Sequence, residues 1–233
     1  MKKSEYIYRV MLIMNEAGLY DIEGNSLLGA DTAQVDRHIE GSYVDAWRRC
    51  AKAMPRGWFK NDSFKENEII TNLPDGSGYV VLPDDFYLLT SFRMKGWKKD
   101  VVEASNENER IASIQANEWT RGSSIRPVCI ISTEEVEDNI KQVLKYYSLS
   151  KGLDTHEIEK AIYVPVTKPL NEYSDDEDLG LDDQIIEPLA YLSASTVFTM
   201  FEKYEIAKAL DQRAIEMFPG LSKVKGTSIT INQ

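Results

Sequence analysis

The chain has 233 residues, 42% of them hydrophobic and 28% charged, enough for one large domain or a domain carrying a sizeable insertion. Its formal net charge of −11 argues against general affinity for duplex DNA, because such binding needs Lys and Arg to neutralise phosphates. No apolar run is long enough to span a bilayer, and MKKSEYIYRV lacks the apolar centre and cleavage site of a signal peptide, so the expectation is a chain that folds in a cytoplasm.

Ser4 is placed to cap a first helix whose apolar face is Tyr6, Val10, Ile13 and Met14. GLYDIEGNSLLGADT follows as a loop, and Asp31 or Thr32 opens the clearest helix of the sequence. Along it Val35, Ile39, Tyr43, Trp47, Cys50 and Met54 recur at spacings of three and four, which sets them on one stripe until Pro55 and Gly57 stop it.

From Gly57 the period shortens. WFK, EIITN, YVVLP, LLTSFRMKGW, VCIIS, VLKYYSL and KAIYVPV are short β-type runs, separated by the turn-formers of NLPDGSG, MKGWKKD and RGSSIRP. They predict an antiparallel β region with a short helix around Ile111–Trp119. NEYSDDEDLGLDDQ then carries acid and no base, and reads as an exposed linker.

Helical period returns with Asp182 or Asp183 as cap and a helix through Phe201, marked by Ile185, Leu189, Leu192 and Val197. Pro188 is expected near its first turn, where a missing N–H does least harm. KYEIAKALDQRAIEMF is a last helix with Ile206, Leu210, Ile215 and Phe218 inward, ended by Pro219-Gly220. In the polar tail Ser228, Ile229, Thr230 and Ile231 alternate. That segment reads either as one that orders on a partner, for example by adding a strand to a sheet edge, or as a frayed terminus.

Helices, then strands, then helices predict an α+β fold in which terminal helices pack as a bundle around a β-rich antiparallel insertion. The expected parts are 1–56 (first helices), 57–170 (insertion), 171–183 (acidic linker), 184–219 (last helices) and 220–233 (extended tail). The helical core is expected to hold Tyr43, Trp47, Tyr191 and Phe201.

Motifs that carry chemistry are scarce in the sequence. His38 lies off the apolar stripe, His156 lies in a polar stretch, and neither belongs to an H-E-x-x-H or has a C-x-x-C nearby. Cys50 and Cys129 both sit in apolar patterns and read as buried thiols rather than a disulfide. DGSGYV lacks the third glycine and following helix of a dinucleotide site, so Asp75–Gly78 reads as a hairpin turn. Neither a P-loop nor a G-x-S-x-G is present. Set against a calcium loop with Gly180 at the turn, the acidic stretch puts Leu179 and Ile186 where oxygen ligands belong. No cofactor or metal is expected.

LPDDFYLLTSFRMKGW poses the sharpest question. Asp84 and Asp85 are either a carboxylate pair for acid–base work or turn-setters ahead of a strand. Adjacent residues of an extended chain face opposite ways, and Pro83 favours a turn. The reading is therefore a turn over Pro83, Asp84, Asp85 and Phe86, with the carboxylates accepting backbone N–H bonds. The strand that follows would set Leu88, Thr90, Phe92 and Met94 on one face.

The series LPDDFYLLTSFRMKGW, RPVCII, VLKYYSL, AIYVPVTKPL and LDDQIIEPLAYLSASTVF ending in EIAKALDQRAIEMF resembles the head-to-tail adaptor proteins of short-tailed bacteriophages. This is the tail tubular protein A-like group, also called head completion, connector or ring proteins. The likeness covers roughly residues 30–218 as an ordered series of short patterns, and the Lys-, Ile- and Asn-rich flavour suits crAss-like phages. It implies packed helices with a β-rich insertion and a ring, usually twelvefold, beneath the portal. The ring would extend the DNA channel and receive the tail nozzle or an adjacent ring. It implies no catalytic residues. The long acidic SDDEDLGLDD and the loop before the second helix depart from the pattern.

The expectation is thus a structural virion protein of the neck or tail region, not an enzyme, folded in the host cytoplasm. Its partners would be the portal protein, the tail nozzle or adjacent ring, and copies of itself. DNA would pass without specific binding, since an acidic surface repels phosphates. Two rivals stand beside it. One is a hydrolase using Asp or Glu. The other is a carbohydrate- or protein-binding module using exposed Trp58, Trp97 and Trp119, although core packing accounts for single tryptophans equally well.

Overall fold

Helical period governs both ends of the chain and two-residue period governs its middle, and the structure separates along that division. The computed structural model describes residues 1–18, 32–67, 69–70, 77–115, 117, 119–136, 138–147 and 157–219. In chain order the elements are α1 (Lys3–Glu16), α2 (Thr32–Ala53), β1 (Asp62–Ser63), β2 (Ile69–Ile70), β3 (Gly78–Val81), β4 (Phe86–Met94) and β5 (Ser105–Asn106). There follow α3 (Arg110–Gln115), β6 (Cys129–Val136), β7 (Asn139–Tyr146), β8 (Ile158–Pro165), α4 (Asp183–Met200) and α5 (Tyr204–Glu216). The fold is α+β. It divides into a helical unit, Met1–Lys60 with Thr167–Gln233, and a β unit, Asn61–Val166. The expected insertion of 57–170 is therefore trimmed at both ends. Trp58 closes a 3-10 turn rather than entering a strand, and Phe59 packs edge-on against Trp47 at 5.6 Å in the helical unit.

In the helical unit α4 is central, packing against α1, α2 and α5. Its sequence is apolar nearly all round, as a surrounded helix requires: Ile185, Leu189, Leu192, Val197 and Phe198 are all fully buried. Asp182 caps it, its carboxylate accepting the Gln184 N–H at 2.9 Å. Pro188 is buried inside the helix, beyond the first turn where it was expected, and so withholds an N–H from the Gln184 carbonyl. The α2 stripe is buried along its length, from Val35 to Met54. α1 begins two residues earlier than a Ser4 cap would place it. Lys2 is its cap residue, and Glu5 accepts the Lys2 N–H at 2.9 Å. On α5 the inward residues are Ala207, Leu210 and Ala214, joined by Phe218 just past the helix, with Ile206 and Ile215 half-buried. Leu210 and Phe218 are inward as expected, while Ala207 and Ala214 take the places expected of their neighbours Ile206 and Ile215.

The β unit holds a three-stranded sheet in the order β1-β8-β4 and a five-stranded sheet in the order β2-β3-β7-β6-β5. Among the described residues the strand pairs are antiparallel except β5 with β6, which run parallel, so the expected all-antiparallel insertion needs that correction. Phe92 of β4 and Tyr146 of β7, 6.4 Å apart, join the two sheets in one core with Phe64, Trp97, Cys129 and Tyr163. α3 ends at Gln115, well short of Trp119.

Within its nine residues β4 does not alternate as a flat strand should. Its register against β8 shifts between Phe86 and Leu88, between Leu89 and Ser91, and between Arg93 and Met94. Tyr87 and Thr90 are thus extra residues on β4, and Glu159 is the extra residue on β8. The inward set becomes Phe86, Leu89, Phe92 and Met94. Leu88 and Thr90, expected on the same face as Phe92, are half-buried.

Candidate functional site

The stretch that raised the question of catalysis lies at a corner. β3 pairs with β7 in the five-stranded sheet, and this pairing continues through the Leu82 N–H to the Gln142 carbonyl at 3.0 Å. Four residues later the chain is in the three-stranded sheet as Phe86, paired with Pro165. Pro83–Phe86 is the turn that makes this passage, closed by the Phe86 N–H on the Pro83 carbonyl at 3.0 Å. Asp84 and Asp85 occupy its two central positions and are both exposed.

Their contacts differ. The Tyr163 hydroxyl donates to the Asp85 carboxylate at 2.8 Å, and the Asp85 carbonyl accepts the Val166 N–H at 2.7 Å. The Asp85 side chain thus holds a hydroxyl of β8, not the backbone N–H that the sequence suggested. Burial first, and then the bond to Asp85, pushes the Tyr163 phenol well above its ordinary range. Tyr163 also stacks on Phe86 at 5.6 Å. One acid therefore fastens the turn to the sheet it enters, while the other presents its side chain to solvent.

Around this corner the aromatic side chains form the unit's interior. Phe64 stacks on Phe92 at 5.9 Å with the rings nearly parallel, and Phe92 meets Trp97 edge-on at 5.7 Å. Such pairs each add about 0.5–1.5 kcal/mol beyond area burial. Phe92 and Met94 are both fully buried. On the outer side Asp100 accepts from Ser91 at 2.7 Å and from Lys160 at 2.9 Å. These two bonds, Ser91 first, hold its carboxyl below the usual carboxylate range.

In the helical unit Tyr43 is fully buried and meets Tyr6 edge-on at 5.4 Å, and Trp47 is also buried. Tyr191 and Phe201, expected in that core, are only half-buried. Phe201 lies just past α4, where its ring meets His38 at 5.0 Å. The aromatic that fills the core of α4 is Phe198, on the opposite face from the one the Ile185–Leu189–Leu192 spacing marks. The small residues Ala190, Ala194 and Ser195 among apolar neighbours are the signal for a helix packed on all sides.

The acidic stretch 171–183 is not a free linker. Its backbone binds the start of the chain: the Lys3 N–H reaches the Glu177 carbonyl at 3.2 Å, and the Leu179 N–H reaches the Met1 carbonyl at 3.0 Å. Lys2 pairs with Asp176 at 2.8 Å, and Lys168 pairs with Glu177 at 2.6 Å. Leu170, just before the stretch, and Leu179, within it, are both buried. These carboxylates are spent on cations of the same unit, and among the described residues no group of His, Cys, Asp and Glu is placed to hold a metal ion. Lys3, largely buried, pairs with Glu40 at 2.7 Å.

A cleft of ≈ 500 Å³ opens between α2, α4 and α5, lined among others by Arg49, Thr199, Tyr204 and Asp211. Arg49 and Asp211 pair with each other across it. Cys50 and Cys129 are both buried. Burial pushes the Cys50 thiol up to about 12 and Cys129 well above its usual value, so neither is a thiolate at neutral pH. Of the three tryptophans offered as a binding platform, Trp97 is core, Trp58 is half-buried in the helical unit, and Trp119 is 93% exposed in the β unit. Ser228, Ile229, Thr230, Ile231, His156 and the Asp75–Gly76 part of the expected hairpin turn lie outside the described residues. No helix among the described residues is long and apolar enough to cross a membrane.

The sequence matches no protein-family model, and no curated protein matches it.

Proposed function

We propose that this chain is a structural virion protein, a head-to-tail adaptor that assembles as a ring between a phage portal and its tail and extends the DNA channel. The observation that carries the reading is the layout: a helical unit built from both ends of the chain, with Asn61–Val166 folded between them as a β unit. That is the arrangement implied by the family resemblance of the ordered sequence patterns. The net charge of −11 supports it further, since a conduit for DNA works best when its wall repels phosphate. The tie of Asp85 to Tyr163 supports it too, because that carboxylate is committed to holding a corner.

The test is to mix the purified chain with the portal protein of the same phage genome, identified from its reading frames, and image the product by electron microscopy. A ring of this protein seated on the portal, with the portal's symmetry, is the expected result. A chain that stays monomeric in the presence of the portal overturns the reading.

A further inference from the structure

Large apolar side chains left in water are ordinary when scattered and informative when gathered. Between β5 and β6 four such side chains fall in one short excursion: Ile111 (37% exposed), Ile114 (37%), Trp119 (93%) and Ile125 (60%). Ile111 and Ile114 are one turn apart on α3 and share a face. Trp119 is not carried on a slack loop. Its N–H bonds to the Asn117 side chain at 2.9 Å, and the Asn117 carbonyl accepts the N–H of Thr120 at 3.1 Å and of Arg121 at 3.0 Å. The Thr120 hydroxyl donates to the Ile114 carbonyl at 3.0 Å. Gln115, 2% exposed, pins the excursion to the helix. It donates to the Ile111 carbonyl at 3.0 Å and accepts the Gly122 N–H at 2.8 Å. Ser123 and Arg126 exchange backbone bonds at 3.1 and 3.0 Å just before Cys129 opens β6. A hydrogen-bonded scaffold thus holds an almost fully exposed indole, the amphipathic and low-entropy side chain that anchors interfaces.

The charge around it is the reverse of the rest of the molecule. From Arg110 to Arg126 three arginines stand against one glutamate, leaving +2 in a chain of net −11, so the remainder carries −13. These exposed apolar side chains, bracketed in sequence by Arg110 and Arg126, both exposed, find an electrostatic complement on another copy of this chain. They do not find it on the same patch of that copy. A two-fold contact would set these arginines against each other, whereas a contact between two different patches avoids that repulsion. From these observations we infer that the Trp119 lobe is a self-association surface, docking head-to-tail on a different part of a second copy, whose charge outside the lobe is net acidic. Closure of such contacts into a ring rests on the function proposed above; the contact itself does not.

Sedimentation of the full chain over a concentration series tests the contact, with Trp119→Ala and the double variant Arg110→Glu/Arg126→Glu beside it. Truncating a central Trp anchor is expected to weaken self-association about thirtyfold or more. The charge reversal is expected to weaken it at about 0.05 M salt and much less at about 0.5 M, where exposed charges are screened. Unchanged thermal melting of Trp119→Ala, expected for so exposed a side chain, shows that the variant is folded. Self-association equal to wild type in Trp119→Ala overturns the inference, as does a wild type that is monomeric throughout or one that stops at a closed dimer. The portal mixture separates this from the ring reading. Rings that form equally well with Trp119→Ala sink the lobe and leave the ring standing. Trp119-dependent self-association without any ring on the portal sinks the ring and leaves the lobe. Loss of portal binding with self-association intact assigns the lobe to another partner and overturns the inference.

Discussion

The two units solve the same problem, making a core from one chain, in opposite ways. The helical unit joins stretches separated in sequence by the whole of the β unit, and polar ties mark its seams. Tyr6 bonds Ser193 at 2.7 Å in the interior, Arg9 pairs with Glu187 at 2.6 Å, and Lys2 pairs with Asp176 at 2.8 Å at the margin. The β unit is one continuous stretch whose interior is an aromatic cluster around Phe92. A core closed over a long sequence gap costs more chain entropy and here gains directional bonds. A continuous segment relies on side-chain volume.

Each unit holds one buried thiol, so the two are readable separately. Cys50 reports the helical unit and Cys129 the β unit. Native-state labelling with a thiol reagent, followed by mass spectrometry, is expected to run about 10³-fold or more below the unfolded rate at both. With rising denaturant the two cysteines are expected to label at different midpoints. A shared midpoint would show the units opening as one and dissolve the distinction. Next in size, Phe92→Ala and Phe198→Ala are each expected to cost about 3–5 kcal/mol in urea unfolding. Phe92→Ala should shift the labelling of Cys129 and spare Cys50, and Phe198→Ala the reverse.

Smaller effects sharpen the contrast in how polar groups are used. Tyr6→Phe leaves the Ser193 hydroxyl without its buried partner and is expected to cost about 1–2 kcal/mol, seen as a lower urea midpoint with unchanged slope. No loss would mean that the seam of the helical unit is held by packing alone. At the corner of the β unit, Asp85→Ala removes the acceptor of the Tyr163 hydroxyl and is expected to cost about 1 kcal/mol. Asp84→Ala, at an exposed turn position, should stay within about 0.5 kcal/mol. Equal losses at the two aspartates would undo their assignment to different tasks.

Legibility in the sequence follows the regularity of each element. The stripe of α2, from Val35 to Met54, is read directly because 3.6-residue period and burial coincide there. α4 is half legible. Its period marks one face, but a helix surrounded on all sides has no polar face to set the phase, so Phe198 is passed over and Phe201 chosen. The strand of Phe86–Met94 is legible as a strand but not by face, since period-two counting fails wherever an extra residue enters. The acidic stretch 171–183 shows the limit of composition. Seven carboxylates and no base look solvated until the folded chain brings Lys2, Lys3 and Lys168 beside them. The lobe around Trp119 left a trace only as an isolated tryptophan; its exposure is a tertiary fact.

β4 carries slack. With Tyr87 and Thr90 unmatched on one side and Glu159 on the other, its length and that of β8 are balanced locally rather than along the whole ladder. A single-codon deletion at Thr90 would therefore be absorbed within one bulge. The same deletion at Phe92, where consecutive pairs run without interruption from Ser91 to Arg93, would pull every following side chain to the wrong side of the sheet. Tolerance to gain or loss of a residue in this segment is set by where the strand is irregular, and the irregular positions are the ones that leave the aromatic interior in place.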